Sequence, residues 1–293
     1  MKTNNFKIAI ASGKGGTGKT FLATSLFWTL SQRLEKLTLV DCDAEEPNSG
    51  MFLEKEILDK VKVTQKVPVI DTDKCTFCSK CHDYCEYNAI FILPPSKIIK
   101  VIDELCHDCG ACSVACEFDA ITEKDVLQGM VSVYDSFNNN KFVESRMEVG
   151  VMSPVKVIKE GLRQAGNEGV LIFDAPPGTS CPFIQTVTEA DFVVLITEPT
   201  PFGLSNLVQS VDTLKIMDKK YGVVVNRAEL GNDKIYKYLE ENNIPLLLEI
   251  PFDREIAKHY SKADIPAMFM PELKNNLDFM FDSIYREYGN SNN

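Results

Sequence analysis

Residues 6–27 read FKIAIASGKGGTGKTFLATSLF. The segment has three parts. FKIAIAS (6–12) is a short apolar run and predicts a buried first strand. Residues 13–20 are glycine-rich. KTFLATSLFWTLSQRL (19–34) then places Leu22, Leu26 and Leu30 on one stripe and predicts a helix. The loop Gly13-Lys14-Gly15-Gly16-Thr17-Gly18-Lys19-Thr20 satisfies G-x-x-x-x-G-K-[ST] between that strand and that helix. Glycines let backbone N–H groups turn toward phosphate oxygens, and the helix aims its positive end at them. Lys19 is expected to neutralise β- and γ-phosphates, with the Thr20 hydroxyl on Mg²⁺.

Outward from this segment, β-rich apolar runs recur: LTLVDCD (37–43), VLIFDAPPG (170–178), FVVLITEP (192–199), YGVVVNR (221–227) and LLLEIPFD (246–253). Helical patterns lie near 154–166, 203–220 and 233–242. Continuous apolar strands alternating with helices predict an α/β fold: a mostly parallel sheet with helices on both faces. Asp41 and Asp43 close the second strand on one face, with Cys42 on the other. Asp174 ends a later strand and opens Asp-Ala-Pro-Pro-Gly178. Asn226-Arg227 and Pro251 end two more. In parallel sheets such strand ends face the ligand crevice.

A second pattern interrupts the first. C-x₂-C-x₂-C-x₃-C occurs at Cys75, Cys78, Cys81, Cys85 and again at Cys106, Cys109, Cys112, Cys116, an internal repeat of 31 residues. This is the bacterial ferredoxin run, in which the fourth cysteine serves the other cluster. Cys75, Cys78, Cys81 and Cys116 are expected to hold one [4Fe-4S] cluster. Cys106, Cys109, Cys112 and Cys85 are expected to hold a second. Zinc is the competing reading, since it also favours C-x₂-C pairs. Glu86 and Glu117 stand where such runs usually carry proline. So small a unit lacks an adequate core and would need metal to fold. The expected organisation is a discontinuous P-loop ATPase domain at 1–66 and 128–293, with an inserted α+β, ferredoxin-like domain at 67–127. Residues 129–150 read as a hairpin about Asn138-Asn139-Asn140, and EYGNSNN (287–293) as a frayed end.

The 293 residues carry a formal net charge of −11, which opposes broad binding to nucleic acid or anionic lipid. No apolar run approaches a membrane span. Ten cysteines without an export-signal pattern fit a reducing, cytoplasmic setting.

The loop KGGTGKT, with its second lysine at Lys14, resembles the deviant Walker A motif of the MinD/ParA superfamily, to which the nitrogenase iron protein and Mrp-type iron–sulfur carriers also belong. VDCDAEEPN resembles its switch I and DAPPG its Walker B and switch II. The resemblance implies a nucleotide-dependent homodimer, or a heterodimer with a related ATPase, sandwiching two ATP molecules. It implies that Lys14 reaches the partner's nucleotide, Asp43 orients the attacking water, and Asp41 and Asp174 support Mg²⁺. It also implies that the Gly178 N–H senses the γ-phosphate, and that Asn226, Arg227 and Pro251 meet adenine. Cys181 stands where the nitrogenase iron protein places a cluster ligand.

Three functions fit. The first is an ATPase that couples dimer switching to electron transfer through the clusters, with an unknown redox or cofactor-assembly partner. The second is an assembly or carrier ATPase for iron–sulfur or other metallocofactors. The third is a positioning ATPase of ParA/MinD kind, ranked last because of the acidic charge and the absence of a basic amphipathic C-terminal face.

Overall fold

The computed structural model describes residues 5–289. The strands are β1 Phe6–Ala11, β2 Leu37–Asp41, β3 Glu56–Ile70, β4 Ile90–Leu93, β5 Ile98–Val101, β6 Ile121–Ser136, β7 Asn140–Met147, β8 Val170–Asp174, β9 Phe192–Thr197, β10 Lys220–Asn226 and β11 Leu246–Ile250. The helices are α1 Lys19–Ser31, α2 Lys80–Asp83, α3 Ala111–Ala115, α4 Val155–Ala165, α5 Cys181–Thr188, α6 Pro201–Ile216, α7 Lys234–Glu241, α8 Arg254–Ser261 and α9 Pro271–Tyr288.

One sheet runs in the order β11-β10-β9-β1-β8-β2-β7-β6-β3, and β4 and β5 form a separate antiparallel pair. The pairings of β1 with β8 and β9, of β2 with β7 and β8, and of β10 with β9 and β11 are all parallel. The central strands are apolar because both faces are covered: β2, β8 and β9 are buried along their whole length. The α/β architecture expected from the sequence is therefore the one found.

Two local differences have physical causes. Helix α1 was expected to bury one stripe, but Phe21, Leu22, Ala23, Leu26, Phe27 and Leu30 are all interior. It lies between the sheet and α9 rather than on the surface. Strands β3 and β6 are longer than any strand read from the sequence. Their largely exposed outer stretches carry a mixed polar pattern that gives only a weak strand signal. At the expected hairpin, Asn138 and Asn139 take the left-handed conformation at φ 57° and 60°, which Asn tolerates better than most residues. Asn140 closes the turn, accepting from the Leu37 N–H at 2.9 Å and donating to the Phe137 carbonyl at 3.0 Å. Helix α9 continues through Glu287 and Tyr288, where fraying was expected, and 290–293 lie outside the described residues.

The chain divides into two compact units. One comprises the residues up to Val61, Val131–Arg146 and those from Val155 onward. The other comprises Lys62–Met130 and Met147–Pro154. Strands β3 and β6 pass covalently from one to the other.

In the first unit Phe142 is fully buried and stacks on Tyr134 with ring centres 5.6 Å apart. Phe142→Ala is expected to cost about 3–5 kcal/mol of stability, read by chemical denaturation. A loss below about 1 kcal/mol would contradict this packing.

Candidate functional site

The phosphate loop connects β1 to α1. Gly16 and Gly18 have φ of 77° and 104°, where side-chain-bearing residues are strained. A Cβ on Gly13 would run into the Asn206 backbone, and one on Gly18 would sit 2.6 Å from the Asn226 amide nitrogen. Lys19 is buried, and its Nζ donates to Ser12 Oγ at 3.2 Å. Burial lowers its pKa, opposed by the charges of Asp174 and Asp43.

Asp174 and Asp43 act on Lys19, and Asp41 adjoins Asp174. Asp41 and Asp174 end β2 and β8 as paired neighbours in register. Asp41 is fully buried and accepts from the backbone N–H groups of Asp43, Asn48 and Ser49 at 2.9–3.1 Å. Burial, then the Asp174 charge, pushes its pKa well above the usual carboxylate range. Asp174 Oδ2 accepts from the hydroxyls of Thr20 and Ser49, both at 2.8 Å. Asp174 Oδ1 is buried and has no hydrogen-bond partner. Asp43 is pushed up to about 6, mainly by burial.

An orphaned buried carboxylate oxygen beside the Thr20 hydroxyl fits a hydrated Mg²⁺. Among the described residues no three His, Cys, Asp or Glu side chains converge on one ion. A cation here would therefore draw most of its ligands from hydroxyl, water and phosphate oxygens.

A cleft of about 420 Å³ opens over these groups. Gly15, Gly16, Gly18, Lys19, Thr20, Asp43, Asn226, Arg227 and Pro251 line it, as do Phe252 and Tyr260. Besides the buried Asp41 and Asp174, four other predicted residues stand off its wall. Lys14 turns away to Glu198, with Nζ 3.0 Å from Oε2. Gly13 and Thr17 lie behind the loop with Lys14. The Gly178 N–H donates to the Ser12 carbonyl at 3.0 Å, so sensing a γ-phosphate would require that bond to break.

Asn226, on the cleft wall, is also bonded within its own chain. Its Nδ2 donates to the Thr17 carbonyl at 2.8 Å and its Oδ1 accepts from the Arg227 N–H at 3.0 Å. The Nδ2 end of the amide thus braces the phosphate loop. Sequence reading missed Ser49, Tyr260 and Glu198, which have no local signature. A separate cleft of about 330 Å³, lined by Lys7, Lys159 and Arg163 among others, contains no predicted site residue.

In the second unit, Cys75, Cys78, Cys81 and Cys116 line one cavity with an apolar wall that includes Ile70, Ile92 and Phe118. Burial pushes the Cys81 thiol up to about 11, with further contributions from Cys75 and Cys112. Cys106 lies within electrostatic reach of Cys109 and Cys85, and Cys112 within reach of Cys106. Backbone N–H groups donate to sulfur at Phe77→Cys75, 3.4 Å, and Ala89→Cys85, 3.3 Å. Left-handed residues Phe77, Ser79, Asp108 and Gly110 wrap the two loops.

This donor set suits thiolate-bound iron. The first cavity encloses only about 20 Å³, too little for a cluster with the thiols as they stand. A cubane also keeps its four sulfurs apart, unlike the single-ion geometry that is absent among the described residues. Lys80 pairs with Glu117 at 2.6 Å, so one of the two carboxylates replacing proline has a counter-charge. His82 Nδ1 lies 2.7 Å from the Ile90 carbonyl oxygen, and His107 stacks on Tyr87.

A family model for the CobQ/CobB/MinD/ParA nucleotide-binding domain matches residues 8–267. The chain belongs to that family. An uncharacterized protein of Methanocaldococcus jannaschii is 31% identical over 247 residues, covering 84% of this chain and 86% of the relative. An uncharacterized ATP-binding protein of the same organism is 26% identical over 269 residues, covering 86% and 87%. The solved septum site-determining protein MinD of Pyrococcus horikoshii, complexed with Mg-ADP, shares the fold at a TM-score of 0.56. It is 19% identical, covering 94% of this chain and 93% of that one.

The coarse assignment follows: this is an ATP-binding P-loop ATPase of MinD/ParA type. The comparisons carry nothing for iron–sulfur clusters or redox chemistry. They show the MinD/ParA nucleotide-binding family. No helix among the described residues is long and apolar enough to cross a membrane.

The remaining cysteines differ in exposure. Cys181 is exposed at the start of α5, whereas Cys42 is buried and its thiol pushed up, first by burial and then by Asp41. Brief alkylation of the folded chain, mapped by peptide mass spectrometry, is expected to modify Cys181 and spare Cys42 until denaturant is added. Rapid Cys42 modification would contradict this burial.

Proposed function

We propose that this MinD/ParA-type ATPase uses its nucleotide cycle to act on an inserted, cysteine-rich domain at 67–127 that carries two [4Fe-4S] clusters. One observation carries the reading. Two copies of a ferredoxin run supply eight cysteines, and Cys116 of the second lines a cavity with Cys75, Cys78 and Cys81 of the first. The crossing of a fourth ligand between copies is what a two-cluster unit needs. Bound clusters would supply one-electron chemistry, and transfer to a partner protein is the role proposed for them. The comparisons do not bear on this part, which rests on the cysteines alone.

The remaining proposed roles come from the family resemblance, and the geometry is compatible with them. Lys19 and the loop N–H groups bind the phosphates. Thr20, Asp174 and, through its packing, Asp41 hold Mg²⁺ and its water shell. Asp43, on the cleft wall and raised to about 6, orients the attacking water. Arg227 and Pro251 flank the base, while Asn226 braces the loop. Lys14, turned out of the cleft, serves the nucleotide of a second copy. The Mg-ADP bound by the related MinD structure supports the nucleotide assignment. That same likeness favours a second reading, a positioning ATPase in which the cysteine unit only reports on conditions.

Anaerobically reconstituted protein is expected to hold about eight iron and eight sulfide per chain, and Cys116→Ala about four of each. Zinc without sulfide would sink the cluster assignment and leave the positioning ATPase. Asp43→Ala should bind ATP normally yet hydrolyse it at least about a hundredfold more slowly. Lys14→Ala should lose turnover with ADP affinity nearly intact. Wild-type hydrolysis in either variant would overturn that residue's role.

A further inference from the structure

Glu198 follows β9 and carries no role in the readings above. Its carboxylate is 7% exposed, and it bridges two cations with separate oxygens. Oε2 accepts from Lys14 Nζ at 3.0 Å, and Oε1 accepts from Arg227 Nη1 at 2.6 Å. Arg227 lines the nucleotide cleft, whereas Lys14 does not. Lys14 Nζ also lies 5.4 Å from the centre of the Phe202 ring, a side chain that is 66% exposed.

The mount is rigid. The Glu198 carbonyl accepts from the Thr200 N–H at 2.7 Å, and Thr200 Oγ1 caps α6 by accepting from the Gly203 N–H at 2.9 Å. A Cβ on Gly203 would run into the Glu198 carbonyl. Thr197 Oγ1 donates to the Gly203 carbonyl at 3.1 Å. Arg227 itself sits at φ 54°, an uncommon conformation for its type, and its guanidinium is held by the same carboxylate.

We infer that Glu198 is a latch. It holds Lys14 folded back onto its own chain, and so sets the threshold at which two nucleotide-loaded copies associate. A charge-assisted bond from a mostly buried carboxylate is stronger than a solvated one. Lys14 must break it to reach any acceptor outside its chain. Arg227 joins the latch to the cleft wall, because it shares the Glu198 carboxylate with Lys14. The inference rests on the reading in which Lys14 serves a second copy, and it names what restrains that lysine beforehand.

The test uses full-length Asp43→Ala protein, which holds ATP, and measures its association by analytical ultracentrifugation with saturating Mg·ATP. Adding Glu198→Gln, which keeps shape and removes charge, is expected to lower the association midpoint roughly tenfold. Adding Lys14→Ala as well should erase that gain, because no lysine remains to be released. Glu198→Asp, which keeps the charge, should leave the midpoint near that of its parent and guards against a fold-wide effect of Gln.

Association of the parent with no gain from Glu198→Gln overturns the latch alone. A gain that survives Lys14→Ala also overturns it. Absence of ATP-dependent association in the parent and in the Gln variant overturns the latch together with the reading beneath it.

Discussion

The Asp174 carboxylate is the junction on which the nucleotide site depends. Its Oδ2 holds the Thr20 hydroxyl from the start of α1 and the Ser49 hydroxyl from the segment after β2. The backbone N–H of that same Ser49 is held by Asp41. Two adjacent strand ends, the phosphate loop and the segment after β2 are thereby joined through two buried carboxylates. Burying acidic groups this closely is costly, and both are pushed toward protonation by it. The arrangement makes sense for a site built to receive positive charge. Lys19 supplies part of it, and the unpartnered Asp174 Oδ1 has room for more.

In the proposed function, that tension is what would let the site act as a switch. A nucleotide with its cation would relieve the crowded carboxylates, engage Thr20, and alter the demand on Ser49. Ser49 belongs to the segment that leads directly into β3, and Asp174 follows the strands that return from the cysteine unit. The cysteine unit is thus framed in sequence by residues of the nucleotide site. Its own order does not come from a large core: Cys81, Ala89, Ile90, Ala115 and Ala120 are its main buried apolar residues between the first cysteine and the last loop. In the proposed function, a unit with so little apolar burial would draw stability from whatever binds its thiols.

Much of this was legible because it is local. The phosphate loop, the strand-terminal Asp41 and Asp174, and the two cysteine runs are each spelled out within a few neighbouring residues. Parallel strands buried on both faces also announce themselves as unbroken apolar runs. What escaped was long-range. Glu198 is one acidic residue after a strand, and it acquires meaning from Lys14, 184 positions away. Asn226 was read by position as a base contact, and its bond to the Thr17 carbonyl, 209 positions away, was not foreseen. The long strands β3 and β6 escaped because a half-exposed strand mixes polar and apolar residues without a clean period.

The central claim is that nucleotide state reaches the cysteine unit. Amide hydrogen exchange across residues 75–121 of anaerobically prepared protein, with and without Mg·ATP, tests it most directly. The account predicts that ATP changes protection there as well as in the phosphate loop. Protection that changes at the loop while residues 75–121 stay the same would contradict it.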